Sequence, residues 1–491
     1  MALPACKPSL LRATSLLALA GLIPLLGAGC SSSKTKSAES DSGDEAPQTG
    51  PGYLGGTQGD ADAELDPAKP PPEICTAPEA WPAPVGEAVV GTGTPESCTE
   101  QALQSAVAAG GTVTFDCGEA PVTILIEQGV HITKPTLLDG NATVTLDGGG
   151  TSRILIVDSG AELSARMLRF VRGKTAESQE ADGIGGAISG QWRSRVEVRD
   201  CDFEENTAAR GGGAVAVWTG SSLTVVSSRF RKNHSWYGGA LYSLLSELHV
   251  VNSEFVANEN LSDLVDDGAV GSGGAIGTDG ASESPDDEVG GKVELCGSSF
   301  IDNIAYGNGG AAFIWVYPPD EVVLDRVLVA GNEARKDESD SSGAGGMRID
   351  NGTITIRQST FSGNTTFGNG GGLMLSCAPS CLIENSTLAG NRTEEANGGA
   401  FFFLSEGGTI ASTTIADNFA GGHGGGIFGG KPELHNTVFV DNDTGNPWGQ
   451  ARNCFETSEG HAVLQWRTES SDAGGDTCLP EADLLVADPR L

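Results

Sequence analysis

Basic residues are scarce in this chain of 491 residues, where 29 Lys and Arg stand against 65 Asp and Glu, for a formal net charge of −36. A polyanion of this size excludes direct binding to nucleic acid or to an anionic membrane surface. Aromatic residues make up only 6% of the chain, and no Cys-x-x-Cys zinc pattern or histidine cluster is present. Apolar residues with helical spacing do not run through the body of the chain, which argues against a helical bundle.

Glycine is abundant instead, with 71 residues, and much of it lies in a repeated phrase. Gly-Gly-Ala followed by an aliphatic residue begins at Gly185, Gly212 and Gly238, and each copy is followed by Phe-x-x-Asn. The asparagines recur at intervals of 24 to 45 residues, at positions Asn206, Asn233, Asn258, Asn303, Asn332, Asn364, Asn391, Asn418 and Asn442. Self-similarity at such a period is the signature of a stacked repeat protein.

Each repeat alternates apolar and polar residues with period two, as in Leu248-x-Val250-x-x-Ser253-x-Phe255-x-x-Asn258. This alternation of β-branched and aromatic residues predicts short strands, not helices. Successive coils then stack in parallel at about 4.8 Å, so that like residues lie above one another in columns. We expect each buried Asn to bond the backbone of neighbouring coils, because an unpaired amide there would cost about 1–3 kcal/mol. The predicted fold class is therefore all-β, a parallel β-helix.

The alternation of Gly-Gly-Ala-Ile with Phe-x-x-Asn resembles the repeats of polymorphic outer membrane proteins. Those proteins belong to the right-handed, pectin-lyase-like class of parallel β-helices, and the resemblance covers residues 85–445. It implies a right-handed solenoid and a surface or extracellular location. It does not imply an activity, because a fold does not fix a function.

The N-terminal residues 1–29 resemble a bacterial lipoprotein signal peptide. Lys7 and Arg12 precede a short apolar run, and Gly27-Ala28-Gly29-Cys30 follows it. Cys30 would be the lipid acceptor, and Ser31 after it resembles the type sorted to the outer membrane. We expect a membrane anchor through Cys30, or simple secretion, and a disordered acidic tether over residues 30–84.

Nine cysteines remain in the exported chain, and several should pair in an oxidising compartment. Proximity along the chain favours the pairs Cys98 with Cys117, Cys377 with Cys381 and Cys454 with Cys478. Cys201 falls in a column of small residues and is expected to be a buried free thiol. The pairing of Cys75 and Cys296 is left open.

Both ends of the solenoid need a cap, because the end of a parallel stack is an unpaired edge. Ser97-Cys98-Thr99-Glu100 fits a capping box at the start of a helix that would stop at Gly110-Gly111. Residues 97–117 resemble the N-terminal cap of secreted bacterial β-helices, which supports the Cys98–Cys117 pair. Residues 446–491 are expected to form a C-terminal cap and partly resemble the choice-of-anchor Q region.

Two insertions after repeat asparagines carry acidic residues that could jointly hold Ca²⁺, a cation that prefers carboxylate oxygens. The spacing matches no known calcium loop, so a solvated acidic face is the favoured interpretation. No other cofactor is expected. The candidate ligands are Asp263, Asp266, Asp267, Glu333, Asp337, Glu338 and Asp340.

A strip of aromatic residues is the second candidate site. Trp218 and Trp315 occupy the same offset after their Gly-Gly pairs, and Tyr242 and Tyr317 lie near that column. Exposed rings on the flank of a β-helix would suit contact with a polysaccharide or a protein. Packing of these rings beneath loops is the favoured alternative.

The pectin-lyase-like class includes lyases and glycoside hydrolases, so an enzyme has to be weighed. Gly422-His423-Gly424 echoes a polygalacturonase motif, but Asn-Thr-Asp is absent and Arg348-Ile349-Asp350 stands where Arg-Ile-Lys is expected. We therefore predict a non-catalytic, surface-displayed lipoprotein of the outer membrane that acts in adhesion, recognition or envelope structure. An extracellular polysaccharide lyase or hydrolase is the alternative.

Overall fold

The computed structural model describes residues 71–175, 183–260, 271–284, 289–336, 343–447, 451–466, 478–480 and 483–487. Strand accounts for 49% and helix for 3%, and the strand pairings in the described part are parallel. The chain is a right-handed parallel β-helix with three faces and one short additional ladder, which confirms the predicted fold class.

The first face holds the strands that follow the Gly-Gly-Ala words. Inward residues such as Leu241 and Ser243 alternate with outward Tyr242 and Leu244, and the inward ones are fully buried. Its strands are β4 (Val130–Ile132), β6 (Leu155–Val157), β8 (Ile188–Gly190), β11 (Val215–Val217), β15 (Leu241–Leu244), β20 (Ile276–Asp279), β24 (Ala312–Trp315), the start of β28 (Met347–Arg357), the start of β31 (Leu373–Glu384), β34 (Phe401–Phe403) and β38 (Ile427–Phe428).

The second face holds the strands with the aliphatic-x-aliphatic frame, such as Leu248-x-Val250, and their aliphatic side chains point into the core. Its strands are β1 (Glu87–Val90), β2 (Gly111–Phe115), the start of β5 (Thr136–Asp147), the start of β7 (Glu162–Val171), β9 (Arg195–Arg199), β12 (Ser222–Val226), β16 (Glu247–Val251), β21 (Lys292–Cys296), β25 (Glu321–Asp325), the ends of β28 and β31, β35 (Thr409–Ala411), β39 (Glu433–His435) and β42 (Gly460–His461).

The third face carries the Phe of each Phe-x-x-Asn word. Its strands are β3 (Val122–Leu125), the ends of β5 and β7, β10 (Asp202–Glu204), β13 (Arg229–Arg231), β17 (Glu254–Val256), β22 (Ser299–Ile301), β26 (Leu328–Ala330), β29 (Thr360–Ser362), β32 (Thr387–Ala389), β36 (Thr414–Ala416), β40 (Val438–Val440), β43 (Val463–Trp466) and β44 (Leu484–Val486).

A short ladder follows the repeat asparagines at the next turn of each coil. It comprises β14 (His234–Ser235), β18 (Glu259–Asn260), β19 (Gly271–Ser272), β23 (Ile304–Asn308), β27 (Glu333–Arg335), β30 (Thr365–Thr366), β33 (Arg392–Thr393), β37 (Phe419–Ala420) and β41 (Asp443–Thr444).

Two columns inside the solenoid hold its coils in register. Phe203, Phe230 and Phe255 stack with ring centroids 4.7 to 4.8 Å apart and planes within 3° of parallel. The asparagines form an amide ladder in which Asn233 Nδ2 donates to Asn258 Oδ1 at 2.9 Å and to the carbonyl of Phe203 at 3.1 Å. The predicted bonding of each Asn to neighbouring coils is therefore confirmed.

The helix α1 (Glu100–Val107) covers the first coils and buries Leu103, Ala106 and Val107 against them. The capping box expected from the sequence is wrong in its details, because Thr99 is the N-cap and accepts a hydrogen bond from the Ala102 N–H at 3.2 Å. Ser97 ends the preceding 3-10 turn Pro95–Ser97 and bonds to Thr94 within it.

The expected tether over residues 30–84 needs a correction at its end, because residues 74–81 lie along the second face. We call this segment the N-terminal strap. Cys75 is buried and forms a disulfide with Cys296, 221 residues away. An extended chain from Cys75 to Trp81 covers six residue steps, or about 20 Å. This length matches the four coil steps from Cys296 back to Arg166, which span about 19 Å.

Polar contacts hold the N-terminal strap along its whole length. The side-chain amide of Asn252 accepts from the Cys75 N–H at 2.8 Å and donates to the Cys75 carbonyl at 2.7 Å. Arg199 donates to the Pro78 carbonyl at 2.7 Å, and Arg166 donates to the Trp81 carbonyl at 2.9 Å. The boundary between tether and fold therefore lies before the strap and not at residue 84.

The three disulfides expected from the sequence are present in the structure, between Cys98 and Cys117, Cys377 and Cys381, and Cys454 and Cys478. Cys201 is a free, buried thiol, as expected. Burial raises its pKa from 9.0 to about 12, and the charges of Asp202 and Asp200 add to this effect.

The expected boundary at residue 445 is also too early, because parallel pairing continues beyond it. Strand β42 pairs with β39, and β43 pairs with both β40 and β44. The stack therefore extends into the region predicted to be the cap. In the described part of the chain, no helix has the length and apolar character needed to cross a membrane.

Candidate aromatic binding cleft

Outward-facing residues of the first face form two columns of large side chains. The register places Tyr242, Gly277 and Phe313 in one column, with Arg348 as the next residue along. A second column runs through Leu244, Asp279, Trp315 and Asp350. Like-over-like stacking of parallel coils thus gathers residues that are up to about 100 positions apart in the chain.

These columns border an open cavity with a volume of about 460 Å³, which we call the aromatic cleft. Between Tyr242 and Phe313 in their column, Gly277 packs against the backbone of Gly238, where an added Cβ would come within 3.0 Å of the amide nitrogen. The cleft is lined by six aromatic residues and three polar ones, namely Trp236, Tyr237, Tyr242, Phe313, Trp315, Tyr317, Arg210, Thr278 and Asp279.

Close packing holds Tyr242 at the floor of the cleft. Its side chain is buried, and its ring lies over Gly211, where an added Cβ would come within 2.6 Å of a ring carbon. A side chain at position 211 would therefore displace the ring. Gly211 belongs to the turn of the preceding coil and pairs there with Tyr237.

The remaining rings are tilted relative to one another. Trp236 and Tyr237 meet edge to face with centroids 4.6 Å apart and planes at 76°. The centroids of Phe313 and Trp315 are 6.3 Å apart, and their planes make an angle of 42°. Rings in these orientations surround a volume and do not form one flat platform.

Asp279 provides the carboxylate of the cleft. The hydroxyl of Tyr317 donates to its Oδ1 at 2.7 Å. Burial raises the pKa of Tyr317, and this hydrogen bond raises it further. Burial also raises the pKa values of Tyr237 and Tyr242, and the negative charge of Asp279 contributes to both shifts. The carboxylate therefore acts electrostatically on three of the six rings.

The structure brings together three of the four aromatic residues singled out in the sequence. Tyr242, Trp315 and Tyr317 line the cleft. Trp218 is not among the lining residues; it is buried in a cluster with Ile184, Ala216 and Tyr242, and its indole N–H has no partner among the described residues. Trp218 is therefore a packed ring with little exposed surface, and packing of the rings beneath loops stays a prediction.

Sequence reasoning missed Trp236, Tyr237, Phe313, Arg210 and Asp279 as residues of the cleft. Trp236 and Tyr237 directly precede Gly238-Gly239, and Phe313 lies two residues before Trp315 on the same strand. Residues that alternate along a strand share a face, so the position of Phe313 was a usable signal. Arg210 and Asp279 gave no comparable signal.

Of the seven candidate Ca²⁺ ligands, only Glu333 lies within the described residues, and its carboxylate accepts a hydrogen bond from Arg335 at 2.9 Å. Asp263, Asp266, Asp267, Asp337, Glu338 and Asp340 lie outside them, as does Cys30. The calcium hypothesis therefore stays a prediction, and so does the lipid anchor.

The residues that echo enzyme motifs are separated from one another. His423 packs against Phe455 with ring centroids 5.2 Å apart, several coils away from the cleft. Arg348 donates to Asp350 at 2.7 Å, and burial raises the pKa of Asp350 despite the opposing charge of Arg348. Asp350 Oδ1 is buried without a partner among the described residues.

No protein-family model and no curated protein sequence matches the chain. Two solved structures of PfbA, a surface adhesin of Streptococcus pneumoniae, are similar to it. One has 13% identity and a TM-score of 0.30 over 74% of this chain and 93% of that one. The other has 14% identity and a TM-score of 0.35 over 78% of this chain and 100% of that one. Similarity at this level carries no inference about function.

Proposed function

We propose that this protein is a non-catalytic recognition protein that is displayed at the cell surface and binds an extracellular ligand in the aromatic cleft. The single observation that supports the proposal most directly is the open cavity of about 460 Å³, in whose lining six of the nine residues are aromatic. Pockets of this size, lined by rings and a few polar groups, are the usual form of a binding site.

The chemistry of the lining favours binding over catalysis. Hydrolysis of a glycosidic bond requires two carboxyl groups on either side of the bond. Among the described residues that line the aromatic cleft, Asp279 is the only carboxylate. Asp350, the next acidic residue in its column, is buried and bonded to Arg348. One carboxylate bonded to a tyrosine is a recognition element and not an acid–base pair.

We further propose that lipidated Cys30 attaches the protein to the outer membrane. Acyl chains contribute about 0.8 kcal/mol per buried CH₂ group, so a multiply acylated cysteine would hold a soluble body at the membrane. Cys30→Ala should release the protein into the soluble fraction. Retention of this variant in the membrane fraction would contradict the anchor, and it would leave the aromatic cleft untouched as a binding site.

Adhesion of whole cells tests recognition by the cleft. Cells that display the full-length protein are compared with cells that display Trp315→Ala, on surfaces coated with polysaccharides or matrix proteins. Phe455→Ala is a matched control, because Phe455 is 45% exposed and packs against Phe428, outside the cleft. At equal display, we expect Trp315→Ala to lose adhesion and Phe455→Ala to keep it.

Two results would overturn the proposal. Adhesion that is equal for the wild type and Trp315→Ala would remove the cleft as the binding site. Release of unsaturated or reducing ends from pectic or other polyuronide polymers by the purified protein would show that it is a lyase or a hydrolase.

A further inference from the structure

We propose that the aromatic cleft binds a quaternary ammonium group, held against the faces of its rings and beside the carboxylate of Asp279. The inference rests on the proposed function, because it names the chemical class that the same cleft takes. It follows from the orientation of the rings, the position of the charges and the shortage of hydrogen-bond acceptors.

The rings are arranged to surround a rounded cation. The face of an aromatic ring carries negative electrostatic potential, and a cation within about 6 Å of the centroid is attracted to it, most strongly by Trp. At the end of the cleft that holds Asp279, the planes of Phe313 and Trp315 make an angle of 42°. A sugar ring is flat and stacks best on one exposed ring face, whereas tilted rings present their faces to a compact group from several sides.

The charges place the cation at one end of the cleft. Asp279 ends strand β20, and Tyr317, which follows β24, donates to it. Arg210 lies at the other end of the coil. Gly211 pairs with Tyr237, and Tyr237 pairs with Ser272. Arg210, one residue before Gly211, is therefore in register with Gly271. Gly271 precedes Asp279 by eight residues. Arg348 lies over the ring of Phe313 at 5.4 Å, and its charge is offset by its ion pair with Asp350. A cation is therefore attracted to the end with Asp279, Trp315 and Tyr317 and repelled from the end with Arg210.

The hydrogen-bonding groups favour a methylated ammonium over a primary one. A primary ammonium carries three N–H donors, and each needs an acceptor once water is excluded. In the described lining Asp279 is the one carboxylate and its Oδ1 already accepts from Tyr317, so three N–H donors would have to share what Oδ2 and the tyrosine hydroxyls offer. A quaternary ammonium has no N–H donor, so it leaves no donor unsatisfied and gains only from the rings and the charge.

Binding of choline to the full chain is the direct test, with dimethylbutanol as the uncharged analogue that has carbon in place of nitrogen. Calorimetry and tryptophan fluorescence, carried out on the soluble Cys30→Ala form, give the affinities. We expect dimethylbutanol to bind at least about tenfold more weakly than choline, which corresponds to about 1.4 kcal/mol.

Two variants separate the contributions of charge and rings. Asp279→Asn should weaken choline binding by about tenfold and leave dimethylbutanol binding unchanged, because it removes charge and keeps shape. Trp315→Ala should weaken the binding of both compounds. Asp158→Asn is the control for charge, because Asp158 is exposed and pairs with His131 elsewhere on the first coils. Circular dichroism and thermal unfolding establish that each variant is folded.

Equal affinity for choline and dimethylbutanol would overturn the inference, and so would tighter binding of a lysine amide than of choline. A saccharide that binds in the cleft and is insensitive to Asp279→Asn would also overturn it, while leaving the proposed recognition by the cleft intact. If instead Trp315→Ala cells adhere like the wild type, the proposed function itself is wrong.

Discussion

The side-chain amide of Asn258 donates to Oδ1 of Asn303 at 3.0 Å, although the two residues are 45 positions apart in the chain. The neighbouring amide pairs, Asn233 with Asn258 and Asn303 with Asn332, are 25 and 29 positions apart in the chain. Their Nδ2 to Oδ1 distances are both 2.9 Å, so the geometry is the same. The ladder is thus independent of what the chain inserts between its rungs. Insertions of this kind can carry binding residues without disturbing the core.

Asn258→Ala should destabilise the coils around it. The change leaves the Asn233 N–H and the Phe230 carbonyl without their partner, and both groups are buried. Each unsatisfied buried group costs about 1–3 kcal/mol, so we expect a loss of about 3 kcal/mol or more. Hydrogen exchange of the flanking coils measures this loss, because repeat proteins open locally.

An exposed amide provides the control for that prediction. Gln101→Ala on α1 should change stability by no more than about 0.5 kcal/mol. If Asn258→Ala has an effect as small as that of Gln101→Ala, the ladder does not hold the coils together.

Gly274→Ala should break the stack at one coil. A Cβ at this position would overlap the carbonyl oxygen of Gly310 on the next coil, which cannot move without shifting the parallel register. Gly363→Ala is the matched control, because Gly363 has φ +61° but open space around its added Cβ. Gly363→Ala should cost about 1 kcal/mol through backbone strain alone.

Thermal unfolding followed by circular dichroism compares the two glycine variants. We expect the midpoint to fall much further for Gly274→Ala than for Gly363→Ala. Equal shifts would mean that glycine is required at the repeated Gly-Gly positions for its backbone conformation and not for the close approach of the coils.

The periodic part of the fold could be predicted from the sequence because equivalent residues of successive repeats lie above one another in the stack. The spacing of Val196, Phe203 and Asn206 recurs, and each of these residues has equivalents in the same column of the structure. Local disulfides such as Cys98–Cys117 could be predicted for a related reason, since short separation along the chain constrains the choice.

Features that depend on long-range docking could not be predicted. Nothing near Cys75 in the sequence indicates Cys296 as its partner, because the N-terminal strap crosses four coils before its position is determined. The composition of residues 30–84 is that of a disordered chain, yet the last part of this range is held by arginines on the second face. The strip of rings was visible in the sequence, but which of them line the cleft is decided by neighbours in other coils, such as Ile184 in the cluster that buries Trp218.

Removing the Cys75–Cys296 disulfide should loosen the N-terminal strap and destabilise the fold. In the chain-entropy account, a crosslink over 221 residues contributes about 5 kcal/mol and one over four residues about 2 kcal/mol. The double variant Cys75→Ser with Cys296→Ser should therefore lower the unfolding midpoint more than Cys377→Ser with Cys381→Ser.

Limited proteolysis provides a second measurement for the strap. Cleavage between residues 71 and 84 should become faster in the first double variant and stay unchanged in the second. If the two double variants have the same midpoint and the same cleavage rate, the hydrogen bonds from Asn252, Arg199 and Arg166 hold the strap without the disulfide.

Cys201 should make the fold sensitive to alkaline pH. Its pKa is raised by burial from 9.0 to about 12, so the folded state keeps the thiol neutral while the unfolded state ionises. The stabilisation is fully present below pH 9 and is lost as the pH rises to about 12, with a total on the order of 4 kcal/mol. Unfolding in urea at several pH values should therefore show a steeper loss of the free energy of unfolding for the wild type than for Cys201→Ala between pH 9 and 12.

A thiol reagent at pH 8 should modify Cys201 only after unfolding, because its Sγ is buried and donates to the Arg199 carbonyl at 3.2 Å. Rapid modification of the native protein, at a site absent from Cys201→Ala, would contradict both expectations.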